Sequence, residues 1–253
     1  MSDQVLPIAE TAPCGSSPAE IASSEIAPSP PTGSKRLRWF ELSLVLSIAF
    51  GESLATSLFL HANGKPVANL GSYSSVMGLL HETAALLLLG YILYRRRLRL
   101  RDIGLRWSFR DLWSGLVVTV VSFVAYAVGH FLVHLVHHAI FGSATNGLTA
   151  HQVFGYVSYS AVPVFLLNPF FEELIVRAYL MSEIKDLTGS WLLSIVVSVA
   201  VQSSYHIYYG WQGALSLAFQ FLVFSIYYAR SRRATPVIIA HEVFDIAGLI
   251  QLW

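Results

Sequence analysis

The apolar second half of the sequence is interrupted by three groups of polar residues whose types suit acid–base chemistry. In each group two side chains stand four positions apart, a spacing that places them on the same face of a helix. Each group therefore presents one polar stripe. The groups are Glu172, Glu173 and Arg177 within EELIVR, then Gln202 with His206, and last His241 with Asp245.

The first group contains two adjacent acids that need separate explanations. Glu173 and Arg177 have the acid on the N-terminal side, the favoured orientation for a helical ion pair, so a structural role explains them as well as a chemical one. Glu172 points about 100° away from Glu173 on a helix and is not explained by this pairing. Because a second carboxylate is costly in an apolar segment, we assign Glu172 a functional role.

Together the three groups supply the parts for activating a water molecule. Glu172 would take the proton of the water, while His206, His241 and Asp245 orient the water or stabilise the oxyanion formed at a carbonyl. Asp245 also supplies an acceptor that would fix the tautomer of His241. The same atoms could instead hold zinc with an open position for water, and spacing leaves both alternatives open. Gln202 is interpreted as packing or a supporting contact.

The composition indicates an integral membrane protein. Apolar residue types make up 55% of the 253 residues, charged types 12%, and the mean hydropathy is +0.57, far from the values of a soluble domain. The basic residues cluster at the ends of apolar segments, which argues against a nucleic-acid partner. The single cysteine, Cys14, allows neither an internal disulfide nor a thiolate metal site.

The chain divides into a tail and a membrane domain. Residues 1–34 are rich in Pro, Ser, Ala and Glu, which predicts a disordered cytoplasmic tail. Residues 35–253 are predicted to form an all-α, polytopic transmembrane bundle, since a span needs about 20 apolar residues. We count about seven spans, at residues 40–61, 74–94, 112–140, 155–180, 188–208, 212–229 and 234–252.

Three basic clusters predict the orientation of the bundle. They precede the first span, follow the second and follow the sixth, so a count of seven puts all three on one side. The positive-inside rule then places the N-terminus in the cytoplasm of a multi-pass protein, for which we expect the plasma membrane. We find no internal repeat of the kind that supports a transporter. The clusters are Lys35, Arg36 and Arg38; Arg95, Arg96, Arg97, Arg99 and Arg101; and Arg230, Arg232 and Arg233.

Other polar residues within the predicted spans receive no assigned role. Glu52, His81 and Glu82 are interpreted as pairing with one another or lining a cavity. A histidine stripe, defined as His130, His134, His137 and His138, has the spacing of a metal or pH site. Its expected position near the membrane surface explains these histidines more simply.

Several protease signatures are missing. HETAA at 81–85 and HEVFD at 241–245 begin like the zincin motif H-E-x-x-H, but neither has the second histidine. We also find neither the G-x-S-G motif with a late histidine of rhomboid proteases nor the G-x-G-D motif of presenilin-type proteases.

The three polar groups do match another family in order and spacing, over roughly residues 155–250. EELIVR at 172–177, the group at 202–206 and HEVFD at 241–245 resemble the E-E-x-x-x-R, F-x-x-x-H and H-x-x-x-N/D motifs of the CPBP family. This family comprises type II CAAX prenyl endopeptidases and bacteriocin-processing or immunity proteins. Gln202 departs from the pattern, because the second motif usually has Phe at that position.

The resemblance implies a CAAX-type intramembrane endopeptidase that cleaves a membrane-bound or lipidated peptide. It assigns Glu172 as the base, with Glu173 and Arg177 as its structural support. The residues that would hold the water, polarise the scissile carbonyl or bind a metal are His206, His241 and Asp245. Members have been described as metalloproteases, with zinc then held by His206 and His241, and a metal-free glutamate mechanism has also been argued. The alternative is a non-catalytic immunity or scaffold protein of the same family. Substrate and oligomeric state are not specified by the sequence.

Overall fold

The computed structural model describes residues 33–63, 72–142 and 157–252, and these residues form a helical bundle. The fourth helix is continuous over 162–188, follows a 3₁₀ turn at Tyr159–Ala161, and changes from Val162–Glu172 (α-helical) to Glu173–Met181 (π-helical) to Ser182–Thr188 (α-helical). The remaining helices are regular. In chain order the helices of the described residues, including the fourth, are α1 Lys35–Asn63, α2 Ser72–Arg95, α3 Phe109–Phe141, α4 over 162–188, α5 Trp191–Tyr205, α6 Gly210–Ser231 and α7 Thr235–Leu252.

The predicted polytopic all-α architecture is confirmed, with one difference in the spans. Among the described residues six helices are long and apolar enough to cross a membrane, whereas α5 has only 15 residues. At 1.5 Å per residue α5 extends about 22 Å, short of a hydrocarbon core of about 30 Å. It ends at Tyr205 because the chain turns through the 3₁₀ segment Ile207–Tyr209 into Gly210, whose φ of +79° favours glycine. The predicted tail at 1–34 lies, except for residues 33 and 34, outside the described residues.

Contacts among helix ends place the three basic clusters at one end of the bundle, here named the basic end. Arg38 in α1 lies 2.9 Å from Glu183 in α4, and Arg96 after α2 lies 2.8 Å from the same acid. Arg232 after α6 stacks over the ring of Trp191 at the start of α5, 5.0 Å from its centroid. The sequence prediction of a common side is therefore correct, and its assignment to the cytoplasm stays a prediction.

The connection between α2 and α3 is fixed to this end by polar contacts. The guanidinium of Arg233 lies 2.6 Å from Asp111 in the first turn of α3, and this hydrogen-bonded carboxylate raises the pKa of Arg233. The hydroxyl of Tyr228 donates to the carbonyl of Ile103 at 2.8 Å, and Thr235 donates to the carbonyl of Arg106 at 2.5 Å. These bonds hold the starts of α3 and α7 together.

Helix α3 approaches α6 and α7 closely where it carries glycines. A Cβ atom at Gly129 would lie 2.4–2.9 Å from three atoms of Phe219 in α6, and one at Gly115 would lie 2.7 Å from Ile239 in α7. Real Cβ atoms do not approach that closely, so any larger residue would push the helices apart. The two glycines set the spacing of α3 from the helices that frame the polar interior.

We expect Gly129→Ala to destabilise the bundle by about 1–3 kcal/mol, because the added methyl group overlaps the Cβ of Phe219 as well as its ring. Thermal unfolding in detergent measures the effect. Gly90→Ala is the matched control, since no atom of the described residues lies within 4 Å of a Cβ at that helical position, and alanine there should raise stability slightly. Equal losses in both variants would contradict this account of the α3–α6 contact.

Candidate active site

Glu173 and Arg177 form the predicted ion pair at the centre of the bundle. Nε of Arg177 lies 3.3 Å from Oε2 of Glu173, and both side chains are fully buried. They stand in the π-helical part of α4, where hydrogen bonds run from residue i to i+5 and the helix is locally widened. Such segments occur often at functional sites. The pair explains how α4 carries a guanidinium through an apolar interior.

Arg177 makes further contacts with α6. Its Nη2 lies 3.5 Å from the carbonyl oxygen of Phe221, and its guanidinium carbon lies 5.6 Å from the centroids of both Phe221 and Phe224. Planar stacking on aromatic faces suits a guanidinium better than an ammonium group. Arg177 therefore links α4 to α6 as well as neutralising Glu173.

His241 is held by Glu173 rather than by the residue that sequence spacing suggested. Nδ1 of His241 donates to Oε1 of Glu173 at 2.8 Å, across the contact between α7 and α4. Oδ1 of Asp245 lies 3.6 Å from Nε2, within ion-pair range but beyond a hydrogen bond. The predicted role of Asp245 as the acceptor that fixes the His241 tautomer thus belongs to Glu173. A neighbouring helix can bring an acceptor closer than the next turn of the same helix.

Glu172 has a different set of neighbours, all of them neutral hydrogen-bond donors. Its Oε2 accepts from Nε2 of Gln202 at 2.7 Å and from the hydroxyl of Tyr205 at 2.8 Å, and Nδ2 of Asn168 lies 3.4 Å from Oε1. The carboxylate is only 5% exposed. Among the described residues no guanidinium or ammonium group pairs with it. Its position is fixed by donors that do not cancel its charge.

Tyr205 and Asn168 were not singled out by the sequence reasoning, although a signal for each was present. Tyr205 lies three positions after Gln202, and Asn168 lies four before Glu172, so both share a helix face with a residue of the site. Tyrosine and asparagine in an apolar segment do not by themselves indicate a functional site, because each is tolerated there without an ionic partner. Gln202, interpreted from sequence as a packing or supporting residue, is a direct hydrogen-bond partner of Glu172.

His206 sits immediately beyond the end of α5. Its Nδ1 lies 2.8 Å from the carbonyl oxygen of Gln202, which can only accept, so Nδ1 carries the hydrogen and Nε2 is the basic nitrogen of the neutral ring. The ring packs against Tyr205 and Phe221, with centroid distances of 4.7 and 5.1 Å. The carbonyl therefore fixes both its tautomer and its orientation.

The polar groups predicted from sequence converge in space. Glu172 is within electrostatic range of His206, His241 and Asp245, three residues from two other stretches of the chain. A carboxylate held by neutral donors and two oriented imidazoles are the components of acid–base hydrolysis. We name this set, together with Glu173 and Arg177, the polar site.

A metal ion would meet competing contacts in this arrangement. Among the described residues, the group of three that brings ligand atoms within 4.8 Å of one another is Glu172, Glu173 and His241, and it does not include His206. Glu173 already contacts Arg177 through one oxygen and His241 through the other. Zinc would have to displace these contacts, so the residues as arranged do not fit it. A metal role for His206 and His241 stays a prediction.

The other polar residues of the spans divide into two groups. His81 lies 4.0 Å from Glu52 and 3.0 Å from the carbonyl oxygen of Ala49, which realises part of the pairing suggested from sequence. In the histidine stripe the rings of His130 and His134 lie 4.2 Å apart, and His137 packs 5.6 Å from Trp211. Within the part of the chain that the structure describes, no group of three close metal ligands includes the stripe.

Comparison with known proteins identifies the region that carries the polar site. Residues 154–247 match the family model described as Type II CAAX prenyl endopeptidase Rce1-like, which spans all three motifs. This match supports the resemblance to the CPBP family that the three motifs predicted. Searches of curated proteins and of solved structures gave no match.

Replacing Arg177 by methionine should destabilise the bundle by about 3–5 kcal/mol, because it leaves the fully buried Glu173 without its ionic partner. Thermal unfolding in detergent tests this expectation. The double variant Glu173→Gln/Arg177→Met should recover part of the loss, since it leaves no uncompensated charge. If the single variant unfolds at the wild-type temperature, the pair does not support the fold.

Proposed function

We propose that this protein is an intramembrane endopeptidase in which Glu172 activates a water molecule for attack on a peptide bond. The supporting observation is the contrast between two adjacent acids. Glu173 is neutralised by Arg177 and engaged by His241, whereas Glu172 is oriented by Gln202 and Tyr205, which carry no charge. A buried carboxylate that is fixed in place but not neutralised is suited to act as a general base.

The reaction needs one proton to move twice. Glu172 takes a proton from the water as the water oxygen forms a bond to the carbonyl carbon, and the carbonyl oxygen becomes an oxyanion. When the tetrahedral intermediate collapses, the C–N bond breaks and Glu172 returns the proton to the leaving nitrogen. The products are a new carboxyl terminus and an amine, so atoms and charge balance.

Two imidazoles provide the remaining functions. Nε2 of His206, left as the basic nitrogen by the Gln202 carbonyl, orients the water through a hydrogen bond. His241, held by Glu173 and within ion-pair range of Asp245, polarises the scissile carbonyl as negative charge develops. Arg177 does not contact the reacting atoms and acts through Glu173.

We infer the substrate class from the surroundings of the polar site. The chain is an integral, multi-pass membrane protein, and the site is built from helices that form its interior. A peptide reaches such a site from the bilayer, so the substrate is a membrane-bound or lipidated peptide. With the basic end in the cytoplasm, the N-terminus is cytoplasmic, and we assign the protein to the plasma membrane.

Glu172→Gln should lower the rate of cleavage by at least about 100-fold, because glutamine cannot accept the proton of the water. Wild-type and variant protein in liposomes are offered a mixture of membrane-tethered and lipidated peptides, and products are read by mass spectrometry with and without a chelator. Thermal unfolding at the wild-type temperature shows that the variant is folded.

The outcomes of this experiment separate the alternatives. Cleavage by wild type alone establishes the base, while retained cleavage by Glu172→Gln would refute it. If a chelator abolishes cleavage by the wild-type protein, the site uses a metal ion and the metal-free glutamate mechanism is wrong. Folded wild type that yields no product would favour the non-catalytic immunity or scaffold role.

Tyr205→Phe should reduce kcat/KM by about fivefold, because one hydrogen bond of roughly 1 kcal/mol to Glu172 is lost and the base is less well oriented. The matched control is Tyr179→Phe, another buried tyrosine in the same bundle, whose hydroxyl has no hydrogen-bond partner among the described residues. Equal activity of Tyr205→Phe and wild type would show that Gln202 and Asn168 position the carboxylate without Tyr205.

A further inference from the structure

Among the described acids that are less than a tenth exposed, one lacks both kinds of partner that the others have. Six acidic residues of the described chain are less than a tenth exposed. Four contact an arginine, and Glu172 has its neutral donors. Glu82 in α2, 7% exposed, has neither a salt bridge nor a hydrogen bond to any described residue, and its Oε2 is fully shielded. The four acids with arginine partners are Glu41, Asp111, Glu173 and Glu183.

Helix register places Glu82 beside the polar site. Helices α2 and α4 both run toward the basic end, and a Cβ at Gly78 in α2 would lie 3.7 Å from Val164 in α4. One turn further along each of these parallel helices, Glu82 comes level with Asn168, whose amide approaches Glu172. Glu82 also lies within electrostatic range of Glu172 and Asp245. It therefore adds a fourth carboxylate, after Glu172, Glu173 and Asp245, and it comes from a helix outside the three motifs.

A contribution to the stability of the fold does not explain why Glu82 is buried. Burying a carboxylate without a partner costs several kcal/mol, and the nearby charges of Glu172 and Asp245 increase that cost. The preceding residue, His81, is directed to the carbonyl of Ala49 and toward Glu52 instead. The structure thus maintains a desolvated acid beside the polar site, and none of the described residues provides a cation for it.

We propose that Glu82 is the binding residue for a basic side chain, lysine or arginine, of the peptide substrate close to the scissile bond. This inference rests on the proposed endopeptidase function and adds a preference that the function does not require. A cation brought by the substrate forms an ion pair with Glu82 and reduces its repulsion with Glu172. The long apolar stem of lysine or arginine also suits the apolar walls of a membrane bundle.

A resident metal ion is a less suitable partner for Glu82 than a substrate cation. Within the described residues, the group of three close metal ligands is Glu172, Glu173 and His241, without Glu82. A flexible basic side chain needs a single carboxylate and can reach it from the peptide backbone at the site. The observations therefore favour a specificity subsite.

Peptide binding, measured without cleavage, tests the proposal. The Glu172→Gln protein in nanodiscs of neutral lipid is titrated with short lipid-anchored Ala/Ser peptides that carry one lysine at successive positions. Each peptide is matched to the same peptide with norleucine. At one position we expect lysine to lower Kd by about tenfold, and this preference should vanish in Glu82→Gln/Glu172→Gln.

Two further variants make the result specific to Glu82. Glu52→Gln/Glu172→Gln removes an acid of the neighbouring helix that is 82% exposed and should keep the preference for lysine. Glu82→Lys/Glu172→Gln should reverse it, so that a peptide with glutamate at that position binds better. Thermal unfolding verifies that each variant is folded, and Glu82→Gln breaks no contact with a partner among the described residues.

Failure of the subsite and failure of the enzyme give different results. Equal binding of lysine and norleucine peptides at every position, or a preference that survives Glu82→Gln, would overturn the inference. Wild-type cleavage of norleucine peptides at undiminished kcat/KM would also overturn it while leaving the endopeptidase in place. A lysine preference lost with Glu82, in a protein that cleaves nothing, would support the subsite and contradict the proposed reaction.

Discussion

The structure depends on one constraint, which is that a charge buried in an apolar bundle lowers stability unless it has a partner. Glu173 meets it by contacting Arg177 along α4 and His241 across the contact with α7. Because the carboxylate uses both oxygens, it fixes the positions of an arginine and a histidine at once. The geometry of the polar site around Glu172 follows from this arrangement.

Two adjacent glutamates have different roles because they point toward different helices. Glu173 faces a guanidinium and an imidazole, while Glu172 faces the amide of Gln202 and the hydroxyl of Tyr205. Its ionic partners give Glu173 a structural role. Neutral donors hold the second in place and leave it able to accept a proton, so the same chemical group serves as a support at one position and as the proposed base at the next.

The rest of the bundle positions these groups. Ion pairs at the basic end join α1, α2 and α4, and the close approach of α3 at Gly115 and Gly129 sets its distance from α6 and α7. The short helix α5 ends inside this framework, which brings His206 toward Glu172 in place of a continuing helical turn. A full-length span at this point would continue the helix past His206, and the carbonyl of Gln202 would no longer fix its ring.

Much of the fold and site could be predicted from the sequence, because spacing along a helix decides which side chains share a face. Apolar runs predicted the helical bundle, and the four-residue spacing predicted the ion pair of Glu173 with Arg177. The count of spans predicted that the three basic clusters lie at one end of the bundle. Only the tertiary structure decided contacts between helices. It assigned His241 to Glu173 rather than Asp245, placed Tyr205 and Asn168 against Glu172, and brought Glu82 to the site. The physical reason is that partners across helix interfaces depend on the rotation and register of two helices, which no periodicity within one segment encodes.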